Sequence, residues 1–133
     1  MRINAVAVIS VFATLIFPVA TQAVNRFGVA CVTNKTDAVV FYRHKESDGT
    51  WRNGSLRPGW QQAFVHTYAR PNEDRSPELD IQFDSDLRAQ KNFTLKYKLP
   101  RLAAPGDACK EGAQYQFQYD GAERSFIDLK KVP

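Results

Sequence analysis

Four residues within ten positions carry the most recognisable chemistry in this sequence. They are Trp51, Arg52, Arg57 and Trp60, inside the stretch DGTWRNGSLRPGW that holds both tryptophans of the chain. An exposed indole stacks on a sugar ring or packs against a partner protein, and a neighbouring guanidinium adds hydrogen bonds. Trp and Arg are also enriched among the residues that dominate binding interfaces. The same four residues equally suit packing, with both indoles covering the edge of a core and both arginines solvated. If this stretch is functional, these are the expected binding residues.

Other constellations are thinner. Two histidines, His44 and His66, make a zinc site only with carboxylates gathered from distant strands. Asp80, Asp84 and Asp86 are oxygen ligands of the kind calcium takes, but the EF-hand spacing is absent and a solvated acidic turn is the simpler reading. There is no G-x-S-x-G elbow. With 14 acidic residues some pair of carboxylates is inevitable, so such a pair says nothing about acid catalysis. No catalytic residue, metal or cofactor is expected, and a binding role is favoured over an enzymatic one. Asn34-Lys35-Thr36, Asn53-Gly54-Ser55 and Asn92-Phe93-Thr94 match the N-glycosylation acceptor pattern, which matters only in a host that glycosylates exported chains.

The compartment follows from the start of the chain. Arg2 is the only charge before position 26, Ile3 to Val19 is mostly apolar, and small residues lead to Thr21-Gln22-Ala23. This is the layout of a secretory signal peptide cleaved after Ala23. An uncleaved anchor is the rival, but a span needs about 20 apolar residues and this run is shorter and ends at Pro18. Removing residues 1–23 leaves 110 residues, 24–133, enough for one domain and one core. Without Arg2 the chain has 17 basic and 14 acidic residues, net +3. An exported chain of that modest charge, with no lysine-rich arm, does not point to nucleic acid. In an oxidising compartment Cys31 and Cys109 read as one disulfide. It closes a 79-residue loop, worth at most ~4.5 kcal/mol in the chain-entropy model.

The elements that must position these residues are strands. In ELDIQFD, 78–84, Leu79, Ile81 and Phe83 share one face. In FTLKYKL, 93–99, Phe93, Leu95, Tyr97 and Leu99 do the same, and in QYQFQY, 114–119, Tyr115, Phe117 and Tyr119 do. Such alternation marks half-buried strands of antiparallel sheets. Further strands are expected at 27–33, 38–44, 60–67 and 125–130, with turns at Asn34–Asp37, Asp48-Gly49, Asn53-Gly54, Pro58-Gly59 and Asp120-Gly121. The only helical period, a weak one, is at 86–92. Pairing 78–84 with 93–99 sets Leu79 opposite Tyr97, Ile81 opposite Leu95 and Phe83 opposite Phe93, with Glu78 facing Lys98 and Asp80 facing Lys96.

Seven or eight short strands predict an all-β fold: a single antiparallel β-sandwich, immunoglobulin-like or similar, with a small β-barrel as the alternative. The order Cys31, Trp51, Cys109 resembles that of an immunoglobulin domain. It departs from the pattern where Trp51 follows Cys31 by 20 residues and where Asp107, not Tyr, stands two before Cys109, so no family follows. The resulting expectation is a small secreted or periplasmic protein that binds a protein or an envelope polysaccharide, without a membrane span after cleavage. Its alternatives are an inhibitor of a secreted hydrolase, using loop 69–77 or 100–112, and a small hydrolase using carboxylates. Oligomeric state is not legible.

Overall fold

The computed structural model describes residues 24–46, 49–89 and 92–133. The expected leader lies outside the described residues, as does Asp48 of the expected Asp48-Gly49 turn. Nine strands are present among the described residues: β1 (Phe27–Asn34), β2 (Val40–Glu46), β3 (Arg52–Leu56), β4 (Gln61–Thr67), β5 (Leu79–Phe83), β6 (Leu95–Leu99), β7 (Leu102–Ala104), β8 (Ala113–Tyr119) and β9 (Ile127–Lys131). A 3-10 turn at Cys109–Glu111 is the only helical element among them. The first sheet runs β4-β1-β8-β9, with β7 alongside the start of β1, and the second runs β3-β2-β5-β6. The fold is therefore an all-β sandwich of two separate sheets rather than a closed barrel. Every pair is antiparallel except β1 with β8. Alternation tells which side chains share a face but not the direction of the neighbouring strand, so the parallel pair has no sequence signal.

The core fills the space between the sheets. Val32, Phe117 and Ile127 come from the first sheet, and Val40, Leu79, Ile81 and Phe83 from the second. The apolar face of 78–84 is realised, with Leu79, Ile81 and Phe83 all completely buried, but its expected wet face is not, since Asp80 and Asp84 are each only 6% exposed. Phe83 meets Phe117 edge-on across the sandwich, centroids 5.0 Å apart, a favoured aromatic geometry. A second, smaller cluster of Val29, Cys31 and Ala104 lies on the other face of β1 and its neighbour β7, with Cys109 of the 3-10 turn packed against it as a cover. The Cys31–Cys109 disulfide, Cα atoms 5.6 Å apart, closes that cover. It ties β1 to the 3-10 turn and does not bridge the two sheets, so the immunoglobulin-like order of Cys and Trp does not carry over as an arrangement.

Two polar devices hold the sandwich ends. Where the chain passes from β1 to β2, and so from one sheet to the other, the Asn34 side chain is fully buried. Its amide donates to the carbonyls of Ala38 at 2.7 Å and Leu56 at 2.8 Å. Its oxygen accepts from the backbone N–H of Thr36 at 2.9 Å and from the Thr36 hydroxyl at 2.7 Å. An asparagine so committed is not open to glycosylation in the folded chain. Elsewhere Arg101 stands between β6 and β7 with a side chain only 1% exposed. It donates to Glu46 at 2.7 Å and to the carbonyls of Pro77 at 2.8 Å and Phe64 at 3.3 Å, joining three segments.

The structure corrects several local expectations. Asn53-Gly54 is not a turn but the middle of β3, where a Cβ on Gly54 would come within 2.6 Å of the Tyr42 ring that lies against it. The segment after Trp51 is thus a regular strand as far as Leu56. Asp120-Gly121 begins a seven-residue connection, 120–126, rather than a two-residue hairpin. The loop at 100–112 contains β7 and the 3-10 turn. The described residues of 86–92 are not helical; Asp86 instead makes an isolated bridge with Phe126. The β5–β6 register is shifted by two: Leu79 faces Leu99, Ile81 faces Tyr97 and Phe83 faces Leu95. Phe93 has φ 49° and gives its N–H to the Asp84 carboxylate, which ends the connection with β6 starting only at Leu95. A two-residue shift keeps every side chain on its predicted face, so burial alone does not distinguish the two registers.

Candidate cationic-aromatic face on the second sheet

Residues of β2 alternate between the core and the solvent side of the second sheet. Val40 and Tyr42 point into the core, so Phe41, Arg43 and Lys45 line the outer face. The register extends this face sideways. Arg43 is level with Asn53 on β3 and Gln82 on β5, and Gln82 with Lys96 on β6. Lys45 is level with Asp80, and Asp80 with Lys98. Continuing the β2–β3 register by one residue brings Trp51 level with Lys45.

Three cations converge on the Trp51 ring. The Lys45 ammonium lies 4.8 Å from its centroid, the Arg43 guanidinium carbon 4.9 Å and the Lys96 ammonium 5.9 Å. Arg43 also lies 5.0 Å from the Phe93 ring and donates through Nε to Gln82. No carboxylate among the described residues pairs with Arg43, Lys45 or Lys96. Like charges ~8 Å apart in water repel by roughly 0.5 kcal/mol. A cation over an exposed ring gains ~0.5–1 kcal/mol. The indole thus balances the crowding of the three groups while leaving their charge in place. Asp80, 6% exposed, lies on the same face between Lys45 and Lys98, and its Oδ1 has no hydrogen-bond partner. It offsets one of the three charges. Lys98 is drawn off to Glu78 at 2.9 Å, an exposed pair of the kind that contributes little. Beside Arg43 the face dips into a shallow cavity of about 390 Å³ lined by Phe41, Tyr42, Asn53, Gly54, Ser55 and Phe93.

The four residues expected to bind together are divided among three places. Trp51 is half-buried at the centre of the cationic face. Arg52, level with His44, points away from that face into an open cleft between β3 and β4. Arg57 and Trp60 belong to the β3–β4 turn, where Gly59 takes φ 75°. There Arg57 lies 5.1 Å from the Trp60 ring, and Trp60 is 58% exposed. Six residues of extended chain, ~20 Å at ~3.3 Å per residue, separate Trp51 from Arg57. The sequence alone does not mark Arg43, Lys45, Phe93 and Lys96 as binding residues. The alternation in RHK and LKYK does place cations two apart on one face. Nothing local shows that strands β2 and β6, some fifty residues apart, flank a single indole.

The remaining candidates are dispersed. His44 and His66 lie on β2 and β4, in opposite sheets. His44 lines the β3–β4 cleft with Glu46, its ring 4.9 Å from that of Phe64. Burial pushes its imidazole below the ordinary histidine value; Glu46 opposes this and Arg52 and Arg101 reinforce it. Glu46 is the only carboxylate lining that cleft among the described residues, and Arg101 holds it. Asp84 accepts the Phe93 N–H and Asp86 pairs with Arg88 at 3.0 Å, so the three acids 80, 84 and 86 serve separate ends. No group of three or more His, Cys, Asp or Glu gathers among the described residues. Of the two loops offered for an inhibitor, 69–77 is fastened at Asn72 to Asn25 by two hydrogen bonds, and 100–112 carries the disulfide. Among the described residues no helix is long and apolar enough to cross a membrane.

No protein-family model, no curated protein and no solved structure matches the chain.

Proposed function

We propose that this chain is a non-catalytic binding module of an exported protein, and that it engages an envelope polysaccharide through the outer face of the second sheet. The observation that carries the reading is the convergence of Arg43, Lys45 and Lys96 on Trp51 without a pairing carboxylate among the described residues. Charged side chains held close together on a rigid sheet, beside a shallow hollow with amide and hydroxyl groups from Asn53 and Ser55, form a preorganised polar surface. Hydroxyl-rich ligands suit such a surface better than the apolar anchors of a protein interface do. The leader-like start of the sequence and the disulfide fit an oxidising compartment outside the cytoplasm.

Affinity electrophoresis through gels containing soluble polysaccharides of differing charge tests this. At least one polysaccharide retards the protein, and Trp51→Ala weakens that retardation by about tenfold or more, the scale of a hot-spot truncation. Trp60→Ala, on the β3–β4 turn, leaves it unchanged. Both variants retain their unfolding temperature within a few degrees. Free migration through every polysaccharide contradicts the reading and directs attention to a protein partner.

A further inference from the structure

We infer that the ligand of this face is an acidic polysaccharide, one whose sugar units carry carboxylates at regular intervals; the inference rests on the polysaccharide reading above and narrows it. Three features of the geometry lead there. The first is the arrangement of charge. Arg43 and Lys45 are two residues apart on β2, ~7 Å along the strand, and Lys96 lies two strands away from Arg43, ~10 Å across the sheet. Their charged ends nonetheless gather at one ring, and three cations so gathered suit a ligand that brings several anionic groups, as a chain with repeated anionic units does.

The second feature is the state of the indole. Trp51 carries three cations over its ring, so it serves to gather charge rather than to offer a bare stacking surface. Nucleobases bind single-strand sites largely by stacking on open aromatic rings. That mode is not free at Trp51, while Lys96 is exposed and Arg43 and Lys45 are half-exposed, within reach of carboxylates from the solvent side. The third feature is the neighbourhood. Gln82 holds Arg43 through its Nε, leaving the other guanidinium nitrogens for a carboxylate fork. Asn53 and Ser55 line the adjoining hollow with Phe93, a setting for sugar hydroxyls and for the C–H face of a ring. Asp80 lies beneath the same face with an unpartnered oxygen. Its charge keeps the patch from being a uniform polyanion sink and penalises an anion seated too deep.

The test compares polygalacturonate, the same polymer with its carboxyls reduced to alcohols, dextran, dextran sulfate and single-stranded DNA, at low and high ionic strength, with the full exported chain. Polygalacturonate binds at low salt and weakens as salt screens the charges. Carboxyl reduction lowers binding by about tenfold or more, and the double variant Lys45→Gln/Lys96→Gln does the same to the unmodified polymer. Lys130→Gln, on β9 of the first sheet, changes nothing. If carboxyl-reduced polymer or dextran binds as well as polygalacturonate, the acidic-ligand inference falls while the polysaccharide reading stands. If no polysaccharide binds, both fall. Dextran sulfate or DNA binding as tightly as polygalacturonate overturns carboxylate recognition in favour of a general polyanion surface, and an unaffected double variant moves the site elsewhere.

Discussion

Replacing Cys31 and Cys109 together by alanine lowers the unfolding temperature by about 10–18 °C. The two residues are 78 apart in sequence. Opening so long a loop returns to the unfolded chain conformational freedom worth up to ~4.5 kcal/mol. For a domain of this size each kcal/mol corresponds to roughly 4 °C. Alanine rather than serine is the informative choice, because Cys31 is fully buried beside Val29 and a hydroxyl there would add its own cost. The loss falls in a defined place. The disulfide holds the 3-10 turn as a cover over the outer face of β1, next to β7 on its edge, so hydrogen exchange rises first in β7 and in residues 105–112. Calorimetry of the double variant and of the reduced wild-type protein gives the same shift. A loss below about 5 °C in both would mean that the second cluster holds the cover without the bond.

Asn34→Ala costs about 3–4 kcal/mol, a large share of the 5–15 kcal/mol typical of a domain. Asn34 is fully buried and makes four side-chain hydrogen bonds at the crossing from the first sheet to the second. Its loss leaves the Leu56 carbonyl and the Thr36 N–H without these partners in a dry place, at ~1–3 kcal/mol for each unsatisfied group. Asn34→Asp does no better at neutral pH, since a carboxylate would face the carbonyl oxygens of Ala38 and Leu56. The backbone of residue 34 still receives Gly59 N–H and donates to Trp60, so the variant folds, with its midpoint in urea lowered and its denaturant slope kept. A loss under about 1 kcal/mol in urea titration would show that the crossing is held by backbone bonds alone.

The disulfide and Asn34 mark what the sequence disclosed and what it did not. The cysteine pair was legible because two cysteines leave each other as the one simple partner. The buried faces of β5, β6 and β8 were legible because alternation is imposed by the backbone itself. Asn34 was legible only as a turn former, since its burial depends on Leu56, 22 residues away. β3 was hidden because Asn53-Gly54 is a strong local turn signal. Packing of the Tyr42 ring against Gly54 overrides it, a tertiary effect absent from any local window. The β5–β6 register differs by two residues from the one alternation suggests because Phe93, apolar and in phase, takes a left-handed backbone position instead of entering the strand. The binding surface was half legible. Trp51 stands out by type, but the cations around it come from β2 and β6, and its expected companions Arg52, Arg57 and Trp60 lie elsewhere. Arg101 gave no sign of being buried, because only the fold brings Glu46 and the Pro77 carbonyl to it.

The proposed binding depends on a net positive field at one indole, with Asp80 offsetting only part of the three cations, and collisional quenching measures that field without any ligand. In a Trp60→Phe chain, Trp51 is the sole fluorophore of its kind. Iodide, drawn to the three cations, quenches it more strongly than caesium, which they repel, and added inert salt narrows the difference. In the reciprocal Trp51→Phe chain, Trp60, with Arg57 the one cation over its ring among the described residues, shows a smaller preference. Caesium quenching Trp51 as readily as iodide, or a preference seen only at Trp60, would contradict the account.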